Sequence, residues 1–174
     1  MDPIKPFIWF ENQAEEAMNY YVETFPNSKI SHIERYAGKQ GIPGEKELEG
    51  KVLTGVFQLN GMEFQCLDGG PVFKPGGNVS FVVEFDDQDG LDKVWARLLD
   101  GGKTQQCGWI TDKFGTTWQI IPKLLGQLMT KGNVAQKKAV MQAMMPMVKL
   151  ESEPLQKAFD SAKRSLDTLE MTAG

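Results

Sequence analysis

The feature that most constrains this chain is a repeated order of short elements on either side of a Gly/Pro-rich break. Before the break the apolar patterning reads β-α-β-β-β. Residues 4–10 form a short apolar run with Pro6 inside it, which suits an edge or the start of a strand. Ala14, Ala17, Met18, Tyr21, Val22 and Phe25 recur at the spacing of one helix face. Asn12 with Glu15 three residues later has capping-box spacing, and Pro26-Asn27 closes the helix. Ser28 to Tyr36, Lys51 to Leu59 and Met62 to Asp68 read as strands. The last two flank Asn60-Gly61, a strong hairpin signal, because a type I′ turn needs positive φ at both central residues. Residues 37–50 hold four glycines and one proline and read as a loop.

After the break at residues 69–77 the order restarts. Val79 to Phe85 is a strongly apolar strand. Asp86 or Asp87 caps a helix whose core face is Leu91, Val94, Trp95, Leu98 and Leu99, and Gly101-Gly102 stops it. Lys103 to Gln106, Gly108 to Thr111 and Thr116 to Ile121 follow as strands, ending at Pro122. The tail is helical. Asn133 and Gln136 have capping-box spacing, Pro146 ends that helix, and Ser152 caps a last one with the stripe Leu155, Phe159, Ala162, Leu166 and Leu169. The expected organisation is a first βαβββ module over 1–70, a second over 78–122 and a helical extension over 123–170. The fold class is α+β.

At 174 residues, with 41% apolar and 24% charged side chains, the chain is long enough for one real core or two small modules. A net charge of -4 and no basic stripe interleaved with aromatics argue against nucleic acid as a partner. No run approaches the roughly 18–20 apolar residues that span a bilayer, and the first ten residues do not read as a secretory leader. Cys66 and Cys107 are far apart and form no C-x-x-C motif, so a reducing, cytoplasmic setting is expected. The methionines at 141, 144 and 145 read as core or interface packing before any soft-metal site.

Several stretches carry a more specific signal: Phe10-Glu11-Asn12-Gln13-Ala14-Glu15-Glu16-Ala17, Tyr20-Tyr21, Leu67-Asp68-Gly69-Gly70, and above all Cys107-Gly108-Trp109-Ile110-Thr111-Asp112-Lys113-Phe114-Gly115 followed by Trp118-Gln119-Ile120-Ile121-Pro122. In these the chain resembles the PhnB-like family, which carries the 3-demethylubiquinone-9 3-methyltransferase domain name. That family sits in the vicinal-oxygen-chelate superfamily with glyoxalase I, bleomycin-resistance proteins and extradiol dioxygenases. The resemblance extends through Val140-Met141-Gln142-Ala143-Met144 to about Asp160. It implies paired βαβββ modules whose mixed sheets curl around a shared cavity, and commonly a homodimer.

The resemblance also implies where metal-using relatives place their ligands. Counted from the motifs, these positions fall at or near Phe7, Gln65, Ser80 and Gln119. A catalytic divalent site wants imidazoles and carboxylates. Phe7 supplies neither, the glutamines offer neutral carbonyls, and the single histidine, His32, lies on another predicted strand. Metal and cofactor are therefore expected to be none. Methyl transfer finds no support in a strand leading to a G-x-G-like turn. Asp68 and Asp112 are expected to brace turns, with a catalytic carboxylate as the lesser alternative. Phe7, Trp9, Gln65, Ser80, Trp109, Trp118 and Gln119 are the candidates for lining a cavity, apolar walls with sparse polar anchors. The leading expectation is a metal-free, homodimeric module for a small apolar or aromatic ligand. The alternatives are a metal-dependent lyase, isomerase or dioxygenase, a methyltransferase, and a scaffold whose Met-rich tail binds a protein.

Overall fold

A computed structural model describes residues 1–38, 41, 46–74 and 76–172, with side chains described through residue 162. Residues 39, 40 and 42–45 of the expected loop, and the side chains of Leu166 and Leu169 of the final stripe, lie outside what is described. The chain divides into two compact units, Met1–Gly76 and Gly77–Gly174. The helical extension belongs to the second.

The first unit runs β1 (Phe7–Phe10), α1 (Ala14–Thr24), β2 (Lys29–Arg35), β3 (Val52–Leu59) and β4 (Met62–Asp68), with sheet order β1-β4-β3-β2. β1 pairs parallel with β4, and the other pairings are antiparallel. The Asn60-Gly61 turn takes positive φ at both residues, 42° and 93°, as its sequence demands. One sheet face is covered by α1. Ala14, Ala17, Met18 and Tyr21 pack there on Gly55, Phe57, Phe64 and Cys66, all buried. Tyr21 stacks on Phe57 and Phe57 on Phe64, with centroids 6.1 and 5.2 Å apart. Each such buried side chain contributes roughly 1.5–3 kcal/mol. Gly55 is needed for close approach: a Cβ there would lie 2.6 Å from the Cys66 sulfur and 2.7 Å from that of Met18.

The start of α1 departs from the expected capping box. The cap is Gln13, with no side-chain hydrogen bond of its own. The helix is closed from a distance by Asp68 at the end of β4, whose Oδ1 accepts the Ala14 N–H at 2.8 Å while Oδ2 accepts the Val52 N–H at 2.9 Å.

The second unit repeats the plan with β5 (Phe81–Phe85), α2 (Gln88–Leu99), β6 (Lys103–Thr104), β7 (Trp109–Thr111) and β8 (Thr117–Pro122), in sheet order β5-β8-β7-β6. Asp87, the second of the two expected caps, accepts the Gly90 N–H at 2.7 Å. β6 is shorter than the expected strand over 103–106, with only two residues paired. Three helices follow: α3 (Lys123–Lys131), α4 (Val134–Met144) and α5 (Ser152–Thr172). The Asn133/Gln136 capping box forms in full, and α4 stops two residues before Pro146. Leu128, Val140 and Leu155 make a small core of their own, with Met144 and Met147 packed against it.

Residues 147–152 anchor this extension. The Met147 and Val148 carbonyls accept the N–H groups of Cys107 and Gly108, each at 2.8 Å. Gln88 of α2 donates to the Leu150 carbonyl, and its own carbonyl accepts the Ser152 N–H and hydroxyl. Lys149 bonds Asp92 at 2.7 Å, and this contact holds the Asp92 carboxyl below its ordinary range.

Candidate functional site

Strand alternation leaves each sheet one face turned away from its own α1 or α2. In the first unit that open face carries a cross-strand row set by register: Phe7 opposite Gln65, Gln65 opposite Val56, Val56 opposite His32. Phe7 is 54% exposed although it sits in a sheet. His32 lies on another strand, as expected, yet register brings it into the row with Phe7 and Gln65. No sequence period reveals this, because the pairing spans a loop and a register shift between Ile30 and His32. Trp9 stands on the same face, opposite Leu67. Its ring lies on the Gly69 backbone, where an added Cβ would come within 2.0 Å. Its indole N–H donates to the Gly70 carbonyl at 2.9 Å, and Phe73 meets it edge-on at 5.0 Å.

In the second unit the open-face row is Val82, Gln119 and Trp109. Val82 is 55% exposed. Gln119 Nε2 donates to Ser80 Oγ at 2.9 Å, so this expected pair does come together. Below it Thr111 and Thr117 share a hydroxyl hydrogen bond of 3.2 Å, and Gln105 donates to Thr111. Val82, Val56 and the threonines were not singled out from sequence, where a two-residue offset along a strand is invisible.

Trp118 requires a correction. It stands opposite Phe81 and Ile110, on the face covered by α2, and is 2% exposed. Adjacent residues of a strand point to opposite faces, so Trp118 and Gln119 do not line one wall. The Trp118 indole N–H donates to Asp112 Oδ2 at 2.8 Å. Asp112 Oδ1 accepts the N–H groups of Phe114 and Thr116 at 2.9 and 3.0 Å. Asp112 thus braces its turn and the tryptophan, as Asp68 braces α1 and β3. Both carboxylates are buried and engaged by backbone donors.

The cysteines separate in the same way. Cys66 is fully buried against Gly55 and Met18, and burial pushes its thiol up to about 12. Cys107 is partly exposed in a left-handed turn, φ 59°. A thiol-specific disulfide reagent is therefore expected to modify one cysteine in the native chain and both after denaturation. Two fast-reacting thiols in the native state would contradict the burial of Cys66.

A family model described as 3-demethylubiquinone-9 3-methyltransferase matches residues 2–121. The chain belongs to this PhnB-like family. The PhnB protein from Bacillus cereus is 33% identical, with 69% of this chain and 99% of that one covered and a TM-score of 0.61. Protein PA1353 from Pseudomonas aeruginosa is 18% identical over 68% of this chain and 95% of that one, with a TM-score of 0.56, a likeness of fold. Among curated proteins none matches. The PhnB-like match ends at Ile121, short of the expected Asp160, so α3 to α5 lie beyond the family module.

Phe7, Gln65, Ser80 and Gln119, where the family resemblance would place metal ligands, do not fit a divalent ion. Phe7 and Gln65 are row neighbours without a charged donor between them, and Gln119 spends an amide hydrogen on Ser80. Among the described residues no group of three or more His, Cys, Asp or Glu converges. The glycine-rich turn of a nucleotide cofactor is likewise missing where it would be needed. The strand-to-helix turns into α1 and α2 are closed by carboxylates, Asp68 and Asp87, and these occupy donors that an anionic group would take. Among the described residues no helix is long and apolar enough to cross a membrane.

Proposed function

We propose that this PhnB-like protein is a small-molecule-binding module that works without a catalytic metal. Its open sheet faces take a partly apolar or aromatic ligand. The observation that carries this is the register of the open faces: at positions the family resemblance marks for ligands, amides stand beside apolar side chains, Gln65 beside exposed Phe7, and Gln119 beside exposed Val82 and partly exposed Trp109. Apolar surface with a few oriented polar groups is the usual composition of a ligand site. The two carboxylates that the sequence offers as general acid or base, Asp68 and Asp112, are committed to backbone donors. Methyl transfer, which the family name suggests, has no cofactor turn to support it. Elemental analysis of the purified protein is expected to find no stoichiometric Zn, Ni, Mn or Fe; about one tightly held ion per chain would overturn this function.

The working form in this proposal is a homodimer. Val134, Met141 and Met145 fall at helical spacing along α4 and its C-cap, and all are exposed, from 38% to 86%. That much apolar surface on one side of an element is typical of an interface. Light scattering is expected to give twice the chain mass at micromolar concentration, and a strict monomer there would contradict it.

A further inference from the structure

The open-face tryptophans differ in what they leave available. The Trp9 N–H is spent on the Gly70 carbonyl, and its ring is pinned between Gly69 and Phe73, so Trp9 offers only a rigid apolar surface. Trp109 sits opposite Gln119, partly exposed, and its indole N–H has no hydrogen-bond partner among the described residues. The second unit therefore displays an unspent donor beside a carboxamide that is itself held in place.

Gln119 is held from one side only. A carboxamide has two N–H donors and an oxygen with two lone pairs, and Ser80 Oγ takes one donor. One N–H and the carbonyl oxygen remain, with the Ser80 hydroxyl proton free to turn outward. If the amide is rotated so that Ser80 donates to its oxygen, the inventory still leaves at least one donor and one acceptor. The central row, Val82–Gln119–Trp109, contains no formal charge; Glu84 and Lys103 stand outside it. A row of this kind penalises an ionised ligand, which would lose hydration without gaining a counter-charge. It favours a flat neutral molecule with a donor and an acceptor side by side, the complement of a carboxamide edge.

Resting on the binding function proposed above, we infer that the ligand is a neutral planar amide or lactam, read at its N–H/C=O edge by Gln119 and flanked by Trp109. Ser80 is a positioning residue that fixes the glutamine. A site built to hydrogen-bond one group rejects the analogue that lacks it, because its own polar atoms are left unpaired.

The test uses isoquinolone and N-methylisoquinolone, which share ring and carbonyl and differ in the lactam N–H, titrated into the full chain and followed by tryptophan fluorescence. Isoquinolone is expected to bind roughly two- to tenfold more tightly, the effect of one net hydrogen bond. Gln119→Leu is expected to erase that preference while N-methylisoquinolone still binds. Should that variant fail to fold, Gln119→Glu keeps the shape and sets an acceptor against the lactam carbonyl, so both compounds should weaken. Equal binding of the two compounds to the parent, a preference that survives Gln119→Leu, or undiminished binding to Gln119→Glu overturns the ligand class alone. Binding of neither compound to the parent overturns the ligand class and the binding function together.

Discussion

Asp112→Ala is expected to lower the unfolding free energy by about 3–5 kcal/mol, since each buried donor left unpaired costs roughly 1–3 kcal/mol. The side chain serves Phe114 N–H, Thr116 N–H and the Trp118 indole N–H at once, and it is only 4% exposed. Alanine fills none of the space and accepts none of these bonds, and little water reaches the site to replace them. Against a total stability of roughly 5–15 kcal/mol for an ordinary domain, this loss is large. Asp112→Asn keeps one acceptor oxygen and turns the other position into a donor facing a donor, so it should fall between parent and alanine. Urea unfolding checks both: the midpoint should drop in the order parent, Asn, Ala. A midpoint for Asp112→Ala indistinguishable from the parent would mean that the carboxylate is not the brace its geometry indicates.

Trp118→Ala and Trp109→Ala should separate sharply. Trp118 is buried between Ile110 and Phe81, its ring 5.3 Å from that of Phe81, and removing it leaves a cavity costing roughly 3–5 kcal/mol. Trp109 lies on the open face, where truncation removes partly exposed surface and should cost roughly 1 kcal/mol or less, in line with other substitutions away from a core. The ligand response should move the other way, lost in Trp109→Ala and retained by whatever fraction of Trp118→Ala remains folded. Melting curves and fluorescence titrations of the two variants decide it. Equal destabilisation would place Trp109 in the core as well and remove the polar handle from the proposed site.

How far the sequence discloses this molecule depends on the range of the interaction involved. The Asn60-Gly61 turn and the Asn133/Gln136 box are local, set by backbone φ and by a side chain reaching three residues along, and both form as expected. The repeated βαβββ order is equally legible, because apolar periods of 2 and 3.6 need only a few neighbouring residues. The cap of α1 is different. Asn12 and Glu15 have the right spacing, yet Asp68, 54 positions away from Ala14, supplies the acceptor, and nothing local announces it. The anchorage of residues 147–152 on Gln88 is hidden for the same reason.

The site shows the same division. Gln65 with Phe7, and Gln119 with Ser80, do come together. Trp118 beside Gln119 was an expectation that strand geometry forbids, since consecutive side chains face opposite ways. In Thr117–Pro122 nearly every residue is apolar or tolerates burial, so alternation gives no clue to which set faces α2. His32 joins the Phe7–Gln65 row only through register across three strand pairings, information that no single strand carries.

The central claim is that amides and apolar side chains, in place of metal ligands, make the open faces a binding site. Fluorescence titration of the full chain with isoquinolone, before and after exhaustive dialysis against a strong chelator, tests it most directly. The account predicts a saturable response with the same midpoint in both. A response that chelation abolishes and added Mn or Zn restores would contradict it, as would no response in either.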